Sequence, residues 1–232
     1  MCAFSRSAIM KFQEESNLKG VYACLLKTFG SQHWWPGETT FEIIVGAILT
    51  QNTNWGNVEK AIKRLKERKL LSVKSLTHVS SDDLADAIRP AGYFNVKTKR
   101  LKNFLFFLTS QYNGSLKKME KTETSILRRE LLSVNGIGPE TADSILLYAF
   151  SRSIFVVDTY TQRIFARLNF VPEKEDYYKL QELFHSALGL STPVFNEYHA
   201  LIVALGKDYC KPTPCCPKCP LRNRCFYFQK KK

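Results

Sequence analysis

The sequence is short of several things, and each shortage excludes something. No stretch approaches the roughly 18 apolar residues of a membrane span. The opening MCAFSRSAIMKFQEESN has no apolar core long enough for a secretion signal. Both absences predict a cytoplasmic protein with no membrane partner. Strict two-residue alternation is scarce, which argues against a sheet. There is no internal repeat, low-complexity tract or Gly/Ser linker, so domain boundaries must come from motifs. Tryptophan is rare, and the three present, Trp34, Trp35 and Trp55, all fall in one short segment. Acidic residues are outnumbered, 21 Asp and Glu against 34 Lys and Arg, for a net charge of +13. Such a surface suits a polyanionic partner, but solubility alone also accounts for it.

Hydrophobic residues make up 44% of the 232, enough for a packed core. Their spacing is helical nearly throughout. Helices are expected over 8–29, 40–50, 56–68, 81–88, 95–111, 124–133, 139–150, 159–168, 174–188 and 194–208. The segment TFEIIVGAILT is apolar on most faces, so its helix should be central. The one β-like run, SIFVVD at 153–158, leads straight into a helix. The expected fold class is all-α.

Between two helical patterns lies NGIGPETA, residues 135–142. Gly136 and Gly138 flank Ile137 and allow a very short turn, with Pro139 suited to the first helical position. The free N–H groups at such a helix start form an anion site fit for a phosphate. An ordinary helical hairpin reads the same way. Asp158 stands just before a helix, where an aspartate is usually an N-cap. Five of the seven cysteines lie between Cys210 and Cys225. In a reducing compartment that clustering points to metal ligation. Cys210, Cys216, Cys219 and Cys225 read C-x5-C-x2-C-x5-C, with Cys215 as the other choice for the second ligand. Zinc sites more often use two C-x2-C pairs.

The motif L-x-x-V-x-G-I-G-x-x-T-A in Leu131–Ala142 resembles the helix–hairpin–helix of the endonuclease III superfamily of DNA glycosylases. AILTQNTNW, IRPAGYFNVKTKRLKNF and FVVDTYTQRI resemble further family segments, so the likeness covers roughly residues 20–228. The resemblance implies two helical lobes, 39–152 and 1–38 with 153–232, with double-stranded DNA lying across the groove between them. It implies a monomer that repairs DNA by base excision, with the damaged base flipped out of the duplex. It makes Asp158 the catalytic carboxylate. Gly136, Ile137 and Gly138 would grip a phosphate, and Gln51 would enter the gap left by the flipped base. Members that also cleave the strand carry a lysine where this chain has Glu140. Glutamate cannot form a Schiff base, so a purely hydrolytic glycosylase is expected. WWP with QNT-x-aromatic resembles the bacterial 3-methyladenine glycosylases on this scaffold. By that match Trp35 and Trp55 sandwich an alkylated purine, with Trp34 and Pro36 shaping the wall. The cysteine loop would hold a [4Fe–4S] cluster, zinc being the alternative. It would present Lys211, Lys218, Arg222 and Arg224 to phosphates. Three other readings stay open: a glycosylase/lyase for oxidised pyrimidines, adenine excision opposite oxidised guanine, and a non-catalytic helix–hairpin–helix DNA-binding protein.

Overall fold

The computed structural model describes residues 6–230, with side chains from Asn17 onward. In chain order the helices are α1 (Arg6–Phe29), α2 (Thr40–Leu49), α3 (Trp55–Glu67), α4 (Val73–His78), α5 (Ser81–Ala87), α6 (Phe94–Tyr112), α7 (Leu116–Glu120), α8 (Thr124–Ser133), α9 (Pro139–Ser144), α10 (Thr159–Arg167), α11 (Tyr177–Leu188), α12 (Thr192–Asp208) and α13 (Phe226–Gln229). No strand occurs among the described residues. None of these helices is long and apolar enough to cross a membrane.

Most of the starts are local chemistry. Thr39, Asn54, Ser72, Ser80, Ser115, Asp158 and Asp176 each cap the following helix by accepting a backbone N–H. Three helices, α4, α7 and α13, lie outside the ranges expected from periodicity. They have six, five and four residues, too few to show a hydrophobic period, and α4 and α7 each begin at a serine cap. The expected helix 139–150 is instead α9 followed by one π turn, Ile145–Ala149.

The chain divides into two compact units. The internal unit comprises Trp35–Arg152; the terminal unit joins the chain up to Trp34 with the chain from Ser153. The division falls four residues earlier than residue 39. Its reason is Trp35, whose indole lies 3.3 Å from where a Cβ on Gly46 of α2 would stand. The centre of the internal unit is α2, with Phe41, Ile44, Val45, Ile48 and Leu49 all buried. It packs against the π turn, α6 and α3. A bidentate pair ties α8 to α9: Arg128 reaches Asp143 at 2.6 and 2.9 Å, and Asp143 is fully buried.

In the terminal unit α1 packs on α11 and α12, and α10 packs on α12. Phe155, Phe165, Phe184, Phe195 and Tyr198 fill the core, Phe155 stacked on Phe184 at 3.8 Å. The β-like run 153–158 is extended but pairs with no strand. Side chains of α11 serve its backbone instead. The Phe155 N–H donates to His185 Nε2 at 2.9 Å, and the Phe155 carbonyl accepts from Gln181 Nε2 at 2.6 Å. The segment is thus held rigidly up to Asp158.

Candidate functional site

The hairpin of the internal unit is a tight turn with a buried tip. Gly136 has φ +96°, and a Cβ there would lie 2.4 Å from Cγ of Arg100. Only glycine fits. Ile137 is buried and its N–H bonds the Val134 carbonyl at 3.0 Å. Gly138 is exposed, has open space where a Cβ would stand, and precedes Pro139 at the start of α9. Backbone can therefore approach a ligand closely here.

Gln51, at the end of α2, is engaged with this hairpin. Its Nε2 donates to the Gly136 carbonyl at 2.9 Å and to Thr141 Oγ1 at 2.8 Å. Its Oε1 accepts from Arg100. Asn103 adds a bond to the Asn135 carbonyl at 2.9 Å. To reach into a duplex gap, the Gln51 side chain would have to release these partners. Arg100 and Asn103 lie on α6, far from the motif in sequence, and nothing in the motif announced them.

Glu140 is exposed in the first turn of α9, where the helix dipole favours a carboxylate. Lys97 of α6 is buried, with Nζ 2.7 Å from the Ala91 carbonyl. Burial, aided by Arg100, pulls its pKa down to about 8.

The tryptophans show a departure from expectation. Trp35 and Trp55 meet edge to face, at 5.0 Å between centroids and 85° between planes. They do not stand parallel with a base-wide gap, because the edge of one indole packs against the face of the other. Tyr148 joins them, its ring 5.0 Å from Trp35. The sequence reading missed Tyr148, since it sits in an apolar run that reads as core. The π turn re-aims it relative to α9. Trp34 is half-buried and falls in the terminal unit, and Pro36 is exposed.

In the terminal unit Asp158 caps α10. Its Oδ1 accepts from the Thr161 N–H at 2.7 Å and from the Thr161 hydroxyl at 2.8 Å. Its Oδ2 faces His199 Nε2 of α12 at 3.6 Å, and the two side chains are 11% and 8% exposed. Burial alone raises the Asp158 pKa; the contact with His199, its charge, and the Thr161 bonds outweigh it and hold the carboxyl below its usual value. His199 was not singled out from sequence. A lone histidine on a helix carries no local signal.

Cys210, Cys216, Cys219 and Cys225 line one small cavity with Arg167, Tyr209, Tyr227 and Phe228. Cys215 is exposed and points elsewhere, and Cys24 bonds the Pro220 carbonyl at 3.7 Å. Two arginines of α10 clamp the start of this loop. Arg163 donates to the Cys210 carbonyl at 2.8 Å. Arg167 donates to Cys210 Sγ at 3.2 Å, the Lys211 carbonyl at 2.7 Å and the Pro212 carbonyl at 2.9 Å. Burial, reinforced by the neighbouring thiols, pushes Cys219 up to about 11, against the opposing Leu221 N–H. As a thiolate ligand, Cys219 would depend on a bound cation to stay deprotonated at neutral pH. Yet among the described residues no three Cys, His, Asp or Glu converge as tightly as a single metal ion requires. The four thiols around this cavity are the donor set that a [4Fe–4S] cluster, or zinc as the alternative, would use.

Comparison with known proteins gives a consistent picture. The profile of the HhH-GPD superfamily base excision DNA repair protein matches residues 45–188. The chain is 48% identical to the "Putative DNA repair glycosylase" of Methanocaldococcus jannaschii, over 94% of this chain and 99% of that one. It is 30% identical to endonuclease III of Sulfolobus acidocaldarius, over 82% and 83% of the two chains. Among solved structures, an H. pylori 3-methyladenine DNA glycosylase bound to 1,N6-ethenoadenine aligns with TM-score 0.70 and 29% identity, covering 85% of this chain and 97% of that one. An endonuclease III–DNA complex aligns with TM-score 0.80 over 94% and 97%, at 23% identity, a likeness of fold.

Proposed function

The chain belongs to the HhH-GPD superfamily of base excision DNA repair proteins and is a DNA glycosylase, and from that premise we propose that it works by hydrolysis alone on an alkylated purine such as 3-methyladenine. The observation that carries the substrate reading is the aromatic cluster of Trp35, Trp55 and Tyr148. A purine methylated at N3 or N7 is cationic, and aromatic faces attract it by stacking and cation–π interaction. The likeness to a 3-methyladenine glycosylase supports the same class. One indole has to turn for a base to be held face to face.

In this reading a single copy of the chain binds duplex DNA, and the backbone of Gly136, Ile137 and Gly138 binds a phosphate. The damaged base leaves with the electron pair of its bond to C1′, so a cationic base departs neutral. The sugar becomes oxocarbenium-like, and the ionised Asp158 stabilises it. Water, oriented by Asp158, adds at C1′ and passes its proton to solvent. Glu140 has no amine, so no Schiff base forms and the strand stays intact. Cys210, Cys216, Cys219 and Cys225 are the residues that would hold a [4Fe–4S] cluster. That group would serve structurally, fixing the loop that Arg163 and Arg167 clamp to α10.

The test uses duplex DNA methylated with a radiolabelled donor. Purified protein should release 3-methyladenine, and strand breaks should appear only after alkali. Trp55→Ala should lose release while melting like the parent. Breaks without alkali would overturn the hydrolytic reading. Unchanged release by Trp55→Ala would overturn the pocket.

A further inference from the structure

An aspartate that merely caps a helix uses one oxygen and leaves the other in water. Asp158 does not. Thr161 saturates Oδ1 with two donors, at 2.7 and 2.8 Å. Oδ2 is turned inward, toward a buried imidazole contributed by another helix. We propose that His199 is a positioning residue for Asp158: Nε2, 3.6 Å from Oδ2, holds the second carboxylate oxygen while Thr161 holds the first, which fixes the carboxylate in one rotamer.

The surroundings are built for this. His199 is placed by α12, and its neighbour Tyr198 is fully buried and anchors that helix through a bond from its hydroxyl to the Leu18 carbonyl at 2.9 Å. The edge of the imidazole packs near Phe155 at 6.3 Å and 82°. Phe155 itself is tied to α11 by His185 and Gln181. The segment carrying Asp158 and the helix carrying His199 are therefore both fixed. Other titratable groups on the elements around Asp158 are engaged elsewhere. The Tyr177 hydroxyl of α11 accepts from the Val157 N–H at 3.5 Å, and Arg163 of α10 lies over Tyr160 and bonds the Cys210 carbonyl. At 3.6 Å the His199 contact is longer than a hydrogen bond, and it is an ion pair only where the imidazole is protonated. It acts on the charge and orientation of the carboxylate. A carboxylate that stabilises a cationic sugar must be ionised and aimed, and small misplacement is costly, with about 1 Å able to lose 10²-fold in rate.

This inference rests on Asp158 being the catalytic carboxylate, so the experiment separates the two. Single-turnover release of methylated bases from labelled duplex DNA is measured across pH for the full chain, Asp158→Asn, His199→Leu and His199→Gln. DNA affinity is measured beside it. We expect Asp158→Asn to be inactive with DNA binding intact. His199→Leu should be about 10- to 100-fold slower at unchanged DNA affinity. Its acid limb should move to higher pH, because burial of Asp158 is then opposed by Thr161 alone. His199→Gln should recover part of the rate, since its amide donates, and none of the charge effect. If His199→Leu does not fold, the acid limb of His199→Gln decides. A variant that folds and matches the parent in rate and pH profile overturns the proposal. Full activity in Asp158→Asn sinks the catalytic reading itself. Carbon-13 titration of the Asp158 carboxyl, which needs no activity, should show its pKa raised in His199→Leu; an unmoved value also overturns the proposal.

Discussion

At the scale of single residues, the internal unit holds an unusual cation. Lys97 is 1% exposed, and its amine bonds only a carbonyl among the contacts described. Its pKa of about 8 lies below the ordinary 10.5, with burial as the first cause. The unfolded chain therefore binds this proton more tightly than the folded one. The cost of burying the charge is present in full below pH 8 and is relieved as pH rises from about 8 toward 10.5. Relative to Lys97→Met, the parent should gain stability across that window. Urea denaturation of both proteins at a series of pH values checks it. A difference that stays flat or falls would show the amine to be uncharged or solvated. Asp158 follows the opposite logic, since a depressed carboxyl stabilises at neutral pH and loses that contribution in acid. Residues such as Asp158 and Gly136 could be picked out from sequence because their roles as cap and turn are local. Lys97, Tyr148 and His199 could not, because burial and partner are set by other helices.

At the scale of elements, the extended run 154–157 joins the two chemical features of the terminal unit, the core and Asp158. Its residues Ile154, Phe155, Val156 and Val157 are buried and β-branched or aromatic, as in a strand. The backbone groups of Phe155 nevertheless pair with side chains of α11. His185→Leu should leave the Phe155 N–H buried and unpaired, at a cost of about 1–3 kcal/mol. Chemical denaturation should report that loss, and a change under a few tenths would mean that water or a shifted backbone replaces the histidine. Helix α10 shows a second element-level device. It begins at Asp158 and carries Arg163 and Arg167, whose guanidinium groups fasten the first cysteine of the loop. The cysteine spacing was legible in sequence; the clamp was not, because arginines at one-turn spacing look like a solvated face.

At the scale of the whole molecule, the net charge of +13 is the relevant quantity. DNA binding by a basic surface releases counterions, and log affinity should fall linearly with log salt, with a slope of about −0.9 per phosphate neutralised. Titration of undamaged duplex at several salt concentrations gives the slope for the parent. Lys211→Ala or Lys218→Ala should each flatten it by about 0.9 if that side chain meets a phosphate. An unchanged slope would place that lysine away from the DNA and leave it a solubilising charge.

By itself, the sequence determined the all-α class, most helix limits, the glycine hairpin and the cysteine loop. The physical reason is that caps, hydrophobic period, positive φ and loop spacing are short-range properties. The tertiary structure alone decided which partners these local pieces meet. It placed Tyr148 against Trp35, turned Trp35 and Trp55 edge to face, bound Gln51 to the hairpin and set His199 behind Asp158. Each of those contacts joins residues far apart in the chain. It depends on which faces pack together, and no window of the sequence encodes that.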